Sequence, residues 1–138
     1  MLIGRLSMAS TERPLSPHLQ IWRWGLHMGL SIAHRTTGIG NAVGALLLVW
    51  GFYALASGPE AFAGFHDFLT SLLGRLVLFG VTFSVMLHLC TGVRHLIMDT
   101  GRGLEIATNR RIGILAILAA IALTLGLWAG AYGFAGAL

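Results

Sequence analysis

The sequence predicts an all-α membrane protein with three transmembrane helices behind an N-terminal cytoplasmic arm, and three observations carry that reading. The 138 residues are 56% hydrophobic and 10% charged, with a mean hydropathy of +0.79, whereas soluble domains carry roughly 25% charged residues. Residues 36–59, 76–93 and 112–138 hold no charged side chain over 24, 18 and 27 positions, close to or beyond the roughly 20 apolar residues that cross a hydrocarbon core. The basic residues are all arginine and gather at alternate segment ends.

The elements follow in order within one membrane-anchor domain, 1–138. An arm of about residues 1–27 is interrupted by Pro14, Pro17, His18 and Arg23, which denies it the short apolar core of a secretory signal. Helices are expected at about 28–56, 68–98 and 110–136. Between the first two, LASGPEAFAGFHDF carries Gly58, Pro59, Glu60 and Asp67, a composition for a short loop or interfacial turn. Between the second and third, MDTGRGLEIATNRR is polar enough for another loop. Arg5, Arg13, Arg23 and Arg35 flank the start of the first helix, and Arg94, Arg102, Arg110 and Arg111 flank the second loop, leaving Arg75 alone at the other end. By the positive-inside rule the N-terminus and second loop face the cytoplasm and the C-terminus faces outward.

Several function classes drop out. The arginines form no single stripe for nucleic acid. Cys90 is the sole cysteine and has no intrachain disulfide or metal-site partner. No phosphate loop, paired catalytic carboxylates or nucleophile triad is visible, and the third helix has no charged side chain from Ile112 onward. A transporter commonly needs an intramembrane carboxylate, which the uncharged runs lack. The chain alone is a poor candidate for an enzyme.

What remains is polar chemistry on the first two helices. In SVMLHLCTGVRHLIMD, residues 84–99, His88 lies near mid-membrane, about 16 Å from the helix end. His95 follows seven residues later and returns to within roughly 20° of the same face. Two histidines on one side of one helix cannot sandwich a flat macrocycle, so a haem held by His88 needs its opposite ligand from another helix. Gly92 leaves space on that face for a planar ligand or for helix packing. A histidine at this depth either binds a cofactor or hydrogen-bonds across a bundle. Arg94 and His95 lie close enough to the interface for snorkelling to explain them equally well.

The first helix opens with MGLSIAHRTTGIG. Ser31 and Arg35 are four apart and share a face, with His34 about 60° from Ser31. These residues lie level with Arg94, His95 and Asp99. The cluster suits an anionic cofactor group or a quinone whose carbonyls need donors, and it equally suits a basic collar at the membrane surface. Trp24, seven residues before Ser31, lies on about the same face and also suits interfacial anchoring. Gly40 with Gly44, and Gly126 with Gly130, have the spacing of close helix packing.

Taken together, RPLSPHLQIWRW, SIAHRTTG and HLCTGVRHLIMD resemble the larger membrane-anchor, or cytochrome b, subunits of succinate dehydrogenase over essentially the whole chain. The patterns SxxHRxTG and HxxxGxRHxxxD stand intact, in order and on the matching helices. The resemblance implies a non-catalytic-alone subunit of a succinate:quinone oxidoreductase, partnered by a flavoprotein subunit, an iron–sulfur subunit and a second, smaller anchor in a lipid bilayer. It implies haem b with His88 as one axial ligand to the iron and the smaller anchor supplying the other. It further implies that Ser31, Arg35, Trp24, Met28 and Ile32 form the site for ubiquinone or another quinone. His34, Arg94 and His95 would neighbour the haem propionates, and Asp99 would deliver protons. The want of an Arg- and Ser-rich presequence favours a bacterial inner membrane over a mitochondrial one. A quinol:fumarate reductase anchor, or a structural anchor without working haem, stays open at this stage.

Overall fold

The computed structural model describes Ile21 and residues 23–135, all of whose regular elements are helices. They are α1 (Leu26–Ser57), α2 (Pro59–Thr70), α3 (Leu72–Asp99) and α4 (Ile106–Ala135). Most of the arm expected at residues 1–27 lies outside the described residues.

α1, α3 and α4 are long and apolar enough to cross a membrane. Their 32, 28 and 30 residues give lengths of about 48, 42 and 45 Å, against a hydrocarbon core of about 30 Å. Each helix therefore has a turn or more to spare at its polar end. Most large apolar side chains on these helices point outward, as expected where lipid or partner helices replace water as the solvent.

The segment expected as a loop or turn after α1 is instead a helix of its own. Gly58 ends α1 at φ +117, a conformation L side chains rarely adopt. Pro59 then opens α2 at a position where a missing N–H costs nothing. Phe65 and Phe68 of α2 pack against Trp50, with ring centroids 4.9 and 5.2 Å apart, while His66 and Asp67 stay outside at 64% and 83% side-chain exposure. Ser71 caps α3 by accepting from the Gly74 N–H at 3.1 Å. A Cβ at Gly74 would lie 2.0 Å from the Phe68 carbonyl oxygen, so this tight corner demands glycine. α3 consequently begins at Leu72, four residues later than the sequence pattern places it.

α3 is the central helix, packed against α1 on one side and α4 on the other. Small residues set both approaches. On α1, a Cβ at Gly44 would meet Val81 Cγ1 at 2.9 Å, and one at Gly40 would meet Ser84 Oγ at 3.1 Å. Ser84 donates across this seam to Asn41 Oδ1 at 2.7 Å. On α4, the buried stripe is Gly113, Ala116, Ala120 and Thr124. Gly126 and Gly130, whose spacing suggests packing, have nothing within 4 Å of an added Cβ. The three-helix bundle, in which α1 also touches α4, thus brings the start of α1, the end of α3 and the start of α4 to one end.

Candidate functional site

Three histidines meet where the first third of α1 crosses the second half of α3. The His34 and His88 rings stack with centroids 3.9 Å apart and planes 13° from parallel. His95 approaches His34 at 4.9 Å with planes tilted 60°. The seven-residue spacing of His88 and His95 places both on the α1-facing side, and His34 projects back between them.

The hydrogen bonds assign the tautomers. His88 Nδ1 lies 3.0 Å from the His34 main-chain oxygen; a carbonyl only accepts, so Nδ1 carries the proton and Nε2 holds the lone pair. Thr37 Oγ1, which donates to the Ala33 carbonyl at 2.8 Å, adds a second contact to the same Nδ1 at 3.2 Å. Thr91 Oγ1 donates to the Leu87 carbonyl at 2.6 Å and therefore accepts from His34 Nδ1 at 2.8 Å. Both imidazoles are oriented through Nδ1. A metal-bound histidine commonly has this arrangement, the far ring nitrogen donating to a carbonyl while the near one ligates.

Glycines shape the space around the rings. A Cβ at Gly38 would stand 3.2 Å from His88 Cε1, and one at Gly92 would stand 3.6 Å from His34 Cε1. The residues present therefore fit a haem iron bound by one imidazole. His88 Nε2 has no hydrogen-bond partner among the described residues, its ring is only half-buried, and the side chain is anchored behind. Among the described residues no three His, Cys, Asp or Glu side chains converge as a metal-ion site.

Next to the histidines a cleft of about 410 Å³ opens between the start of α1, the end of α3 and the α3–α4 turn. His27, Ser31, Arg94, His95, Met98 and Asn109 are among its lining residues. Arg94 is 3% exposed. Its Nη2 donates to Asn109 Oδ1, while Nε is buried with no partner among the described residues. Asn109 also donates to the Gly103 carbonyl at 3.0 Å, tying the turn to the start of α4. A fixed guanidinium beside two histidines makes the cleft a place for an anionic group.

Ser31 differs from its neighbours. Thr36, Thr37, Thr82, Thr91 and Thr124 all return their hydroxyl to a carbonyl four residues back. Ser31 has no hydrogen-bond partner among the described residues, and it lines the cleft, so its donor is available to a ligand.

The structure divides the sequence-predicted residues. Ser31, Arg94 and His95 line one cleft, and His34 and His88 adjoin it. Trp24 is 66% and Ile32 49% exposed, Arg35 and Asp99 are exposed, and Met28 is half-buried; none of the five lines the cleft. They face outward from this chain's own bundle, where another subunit can complete a pocket. Thr37, Thr91 and Asn109 were missed by sequence reasoning. Thr37 lies inside SIAHRTTG but has no ionisable group to draw attention, and Asn109 is fifteen residues from the arginine it holds.

The comparisons bear on what these elements serve. Residues 9–127 match the family model described as the succinate dehydrogenase/fumarate reductase transmembrane subunit. The chain is 39% identical over 122 residues to the mitochondrial succinate dehydrogenase cytochrome b560 subunit of Sus scrofa, covering 85% of this chain and 70% of that protein. It is 42% identical over 95 residues to the cytochrome b556 subunit of Paracoccus denitrificans, covering 69% and 73%. To the cytochrome b556 subunit of Rickettsia felis it is 32% identical over 117 residues, covering 85% and 91%. With the match spanning α1, α3, most of α4 and the three-histidine crossing, the chain belongs to the succinate dehydrogenase/fumarate reductase transmembrane subunit family.

Proposed function

We propose that this chain is the cytochrome b membrane anchor of a succinate:quinone oxidoreductase, holding one face of haem b and part of the quinone site. The observation that carries the reading is the His88 imidazole, fixed through Nδ1 by the His34 carbonyl and Thr37 with Nε2 left to ligate. His88 would bind the haem iron, with the smaller anchor contributing the remaining protein ligand. The chemistry the haem would supply there is one-electron exchange, and side-chain ligation from both anchors suits electron transfer better than oxygen binding.

This chain's residues position and neutralise. His34 is held by Thr91 between the two α3 histidines, and Arg94 and His95 offer positive charge and donors to the haem propionates. Ser31 donates to a quinone carbonyl oxygen, and Arg35 stabilises the negative charge that develops on quinone oxygens as electrons arrive. Trp24, Met28 and Ile32 supply the apolar wall, completed by partner subunits. Asp99, exposed at the end of α3, passes protons from the aqueous side. Electrons come from succinate through the flavoprotein and iron–sulfur subunits. The arginine-rich end of the bundle faces the cytoplasm of a bacterium and the C-terminus faces the periplasm.

The test compares His88→Leu with His95→Leu in the intact complex. The first is expected to abolish or severely perturb the b-haem absorbance, and the second to leave axial ligation intact. An unchanged haem spectrum in the His88 variant removes the assignment and leaves the histidines a packing role.

A further inference from the structure

We propose that the groove between α3 and α4, at the end of the bundle opposite the histidines, binds one glycerophospholipid. Its phosphate lies on Arg75 and an acyl chain runs along Leu78 and Leu127. The groove measures about 540 Å³, within the roughly 300–1,000 Å³ of small-molecule sites.

Arg75 is the anomaly that motivates the site. Eight of the nine arginines belong to the arm, the first third of α1, the last two turns of α3, the α3–α4 connection or the first two turns of α4, and Arg75 is at the other end of α3. An arginine there opposes the charge bias of the chain, and its guanidinium has no hydrogen-bond or ion-pair partner among the described residues. At the same mouth, Trp128 and Tyr132 line the groove, with ring centroids 5.8 Å apart and planes tilted by 41°. Phe79 meets Trp128 edge-on at 5.4 Å, which holds the indole in place. Neither the Trp128 N–H nor the Tyr132 hydroxyl has a hydrogen-bond partner among the described residues. One cation and two neutral donors therefore edge a groove with no carboxylate in its lining, while its remaining walls are largely apolar. That division, donors at the rim and hydrocarbon below, is the chemistry of a phosphodiester on an acyl chain. Trp and Tyr at this depth also match an aromatic belt at the headgroup level.

The position argues against a protein occupant. Arg75 and Thr82, both in the groove lining, lie about 140° and 120° around α3 from His88. The face that presents His88 is where the second anchor must bring its ligand, so the groove looks toward bilayer. This last step rests on the proposed function; the donors and the apolar walls do not.

The complex, purified with its partner subunits and stripped of lipid in detergent, is titrated with dioleoylphosphatidylglycerol and bound lipid is counted by native mass spectrometry. Wild type is expected to bind one molecule saturably. Arg75→Gln should weaken that binding at least about tenfold, as loss of a charge-assisted hydrogen bond implies, and Arg75→Lys should retain most of it. Trp128→Phe, which removes only the indole N–H, provides a second, milder loss should Arg75→Gln not assemble. Haem absorbance and quinone turnover should stay at wild-type level in each variant. A failure of the haem assignment leaves the lipid titration standing, so the two claims fail separately. The proposal is overturned if the variants bind the lipid as wild type does, if dioleoylglycerol, lacking the phosphate, binds equally well, or if decylubiquinone displaces the lipid. A cross-link from Ala131→Cys to the smaller anchor in native membranes also overturns it.

Discussion

Replacing Gly38 tests the haem assignment without touching a histidine. An alanine Cβ there would stand 3.2 Å from His88 Cε1, closer than the roughly 3.5–4.0 Å optimum for carbon contacts. The ring must retreat by about 0.3 Å or more, away from α1 and from the His34 carbonyl that its Nδ1–H meets at 3.0 Å. Valine adds two further methyls and forces a larger retreat. A neutral hydrogen bond contributes about 0.5–1.5 kcal/mol, which for a one-electron couple converts to about 20–65 mV. That donation makes the imidazole a stronger ligand and favours the oxidised iron. Weakening it therefore raises the midpoint potential, by at most that amount in Gly38→Ala. Gly38→Val should lower haem content as well, because the ring can no longer reach the iron without distorting α3. The assay is a spectroscopic redox titration of the b-haem in the purified complex, with haem per complex counted in parallel. Full haem content at the wild-type potential in Gly38→Val would refute the reasoning, since a ligated ring could not absorb that displacement unnoticed.

The remaining outcomes concern the cleft and the helix seams. Ser31→Ala and Arg35→Leu are expected to slow quinone reduction by roughly 5- to 150-fold for a loss of about 1–3 kcal/mol, with Arg35→Leu the worse. Succinate oxidation by an artificial acceptor that bypasses the quinone site should be spared, and wild-type quinone kinetics in both assembled variants would contradict the site. Asn109→Leu removes the one hydrogen-bond partner that the buried Arg94 guanidinium has among the described residues, a cost of about 1–3 kcal/mol or more for a charged group, and should reduce the yield of assembled complex. Asn109→Asp, which keeps the acceptor, should restore it. Gly44→Val puts bulk where a Cβ already lies 2.9 Å from Val81 Cγ1, so thermal inactivation of the complex should come earlier, by the about 1–3 kcal/mol typical of overpacking. Val81→Ala should rescue that variant, and Gly126→Ala, with nothing within 4 Å, should be neutral.

The charge-free runs made the membrane class and the number of spans legible, because lipid excludes charged side chains whatever the tertiary contacts. The common face of His88 and His95 was also legible, since it depends only on helical periodicity. α2 was not: Glu60, His66 and Asp67 read as loop chemistry, whereas Phe65 and Phe68 fold the segment onto Trp50, a contact local pattern does not encode. The GxxxG spacing located packing correctly at Gly40 and Gly44, whereas at Gly126 and Gly130 nothing among the described residues lies within 4 Å of an added Cβ. The α4 stripe through Gly113, Ala116, Ala120 and Thr124 carries no comparable signature, because small residues become an interface only once a neighbour lies against them. The histidine tautomers were out of reach for the same reason. They follow from a main-chain oxygen on α1 and a threonine hydroxyl on α3, which meet only when the helices cross.

A density map of the intact complex with its haem bound tests the central claim most directly. The account expects His88 Nε2 bonded to the iron, His88 Nδ1 still donating to the His34 carbonyl, and the opposite axial ligand from the smaller anchor. An iron bound by His34 or His95, or a His88 ring still packed on His34 away from any macrocycle, would contradict it.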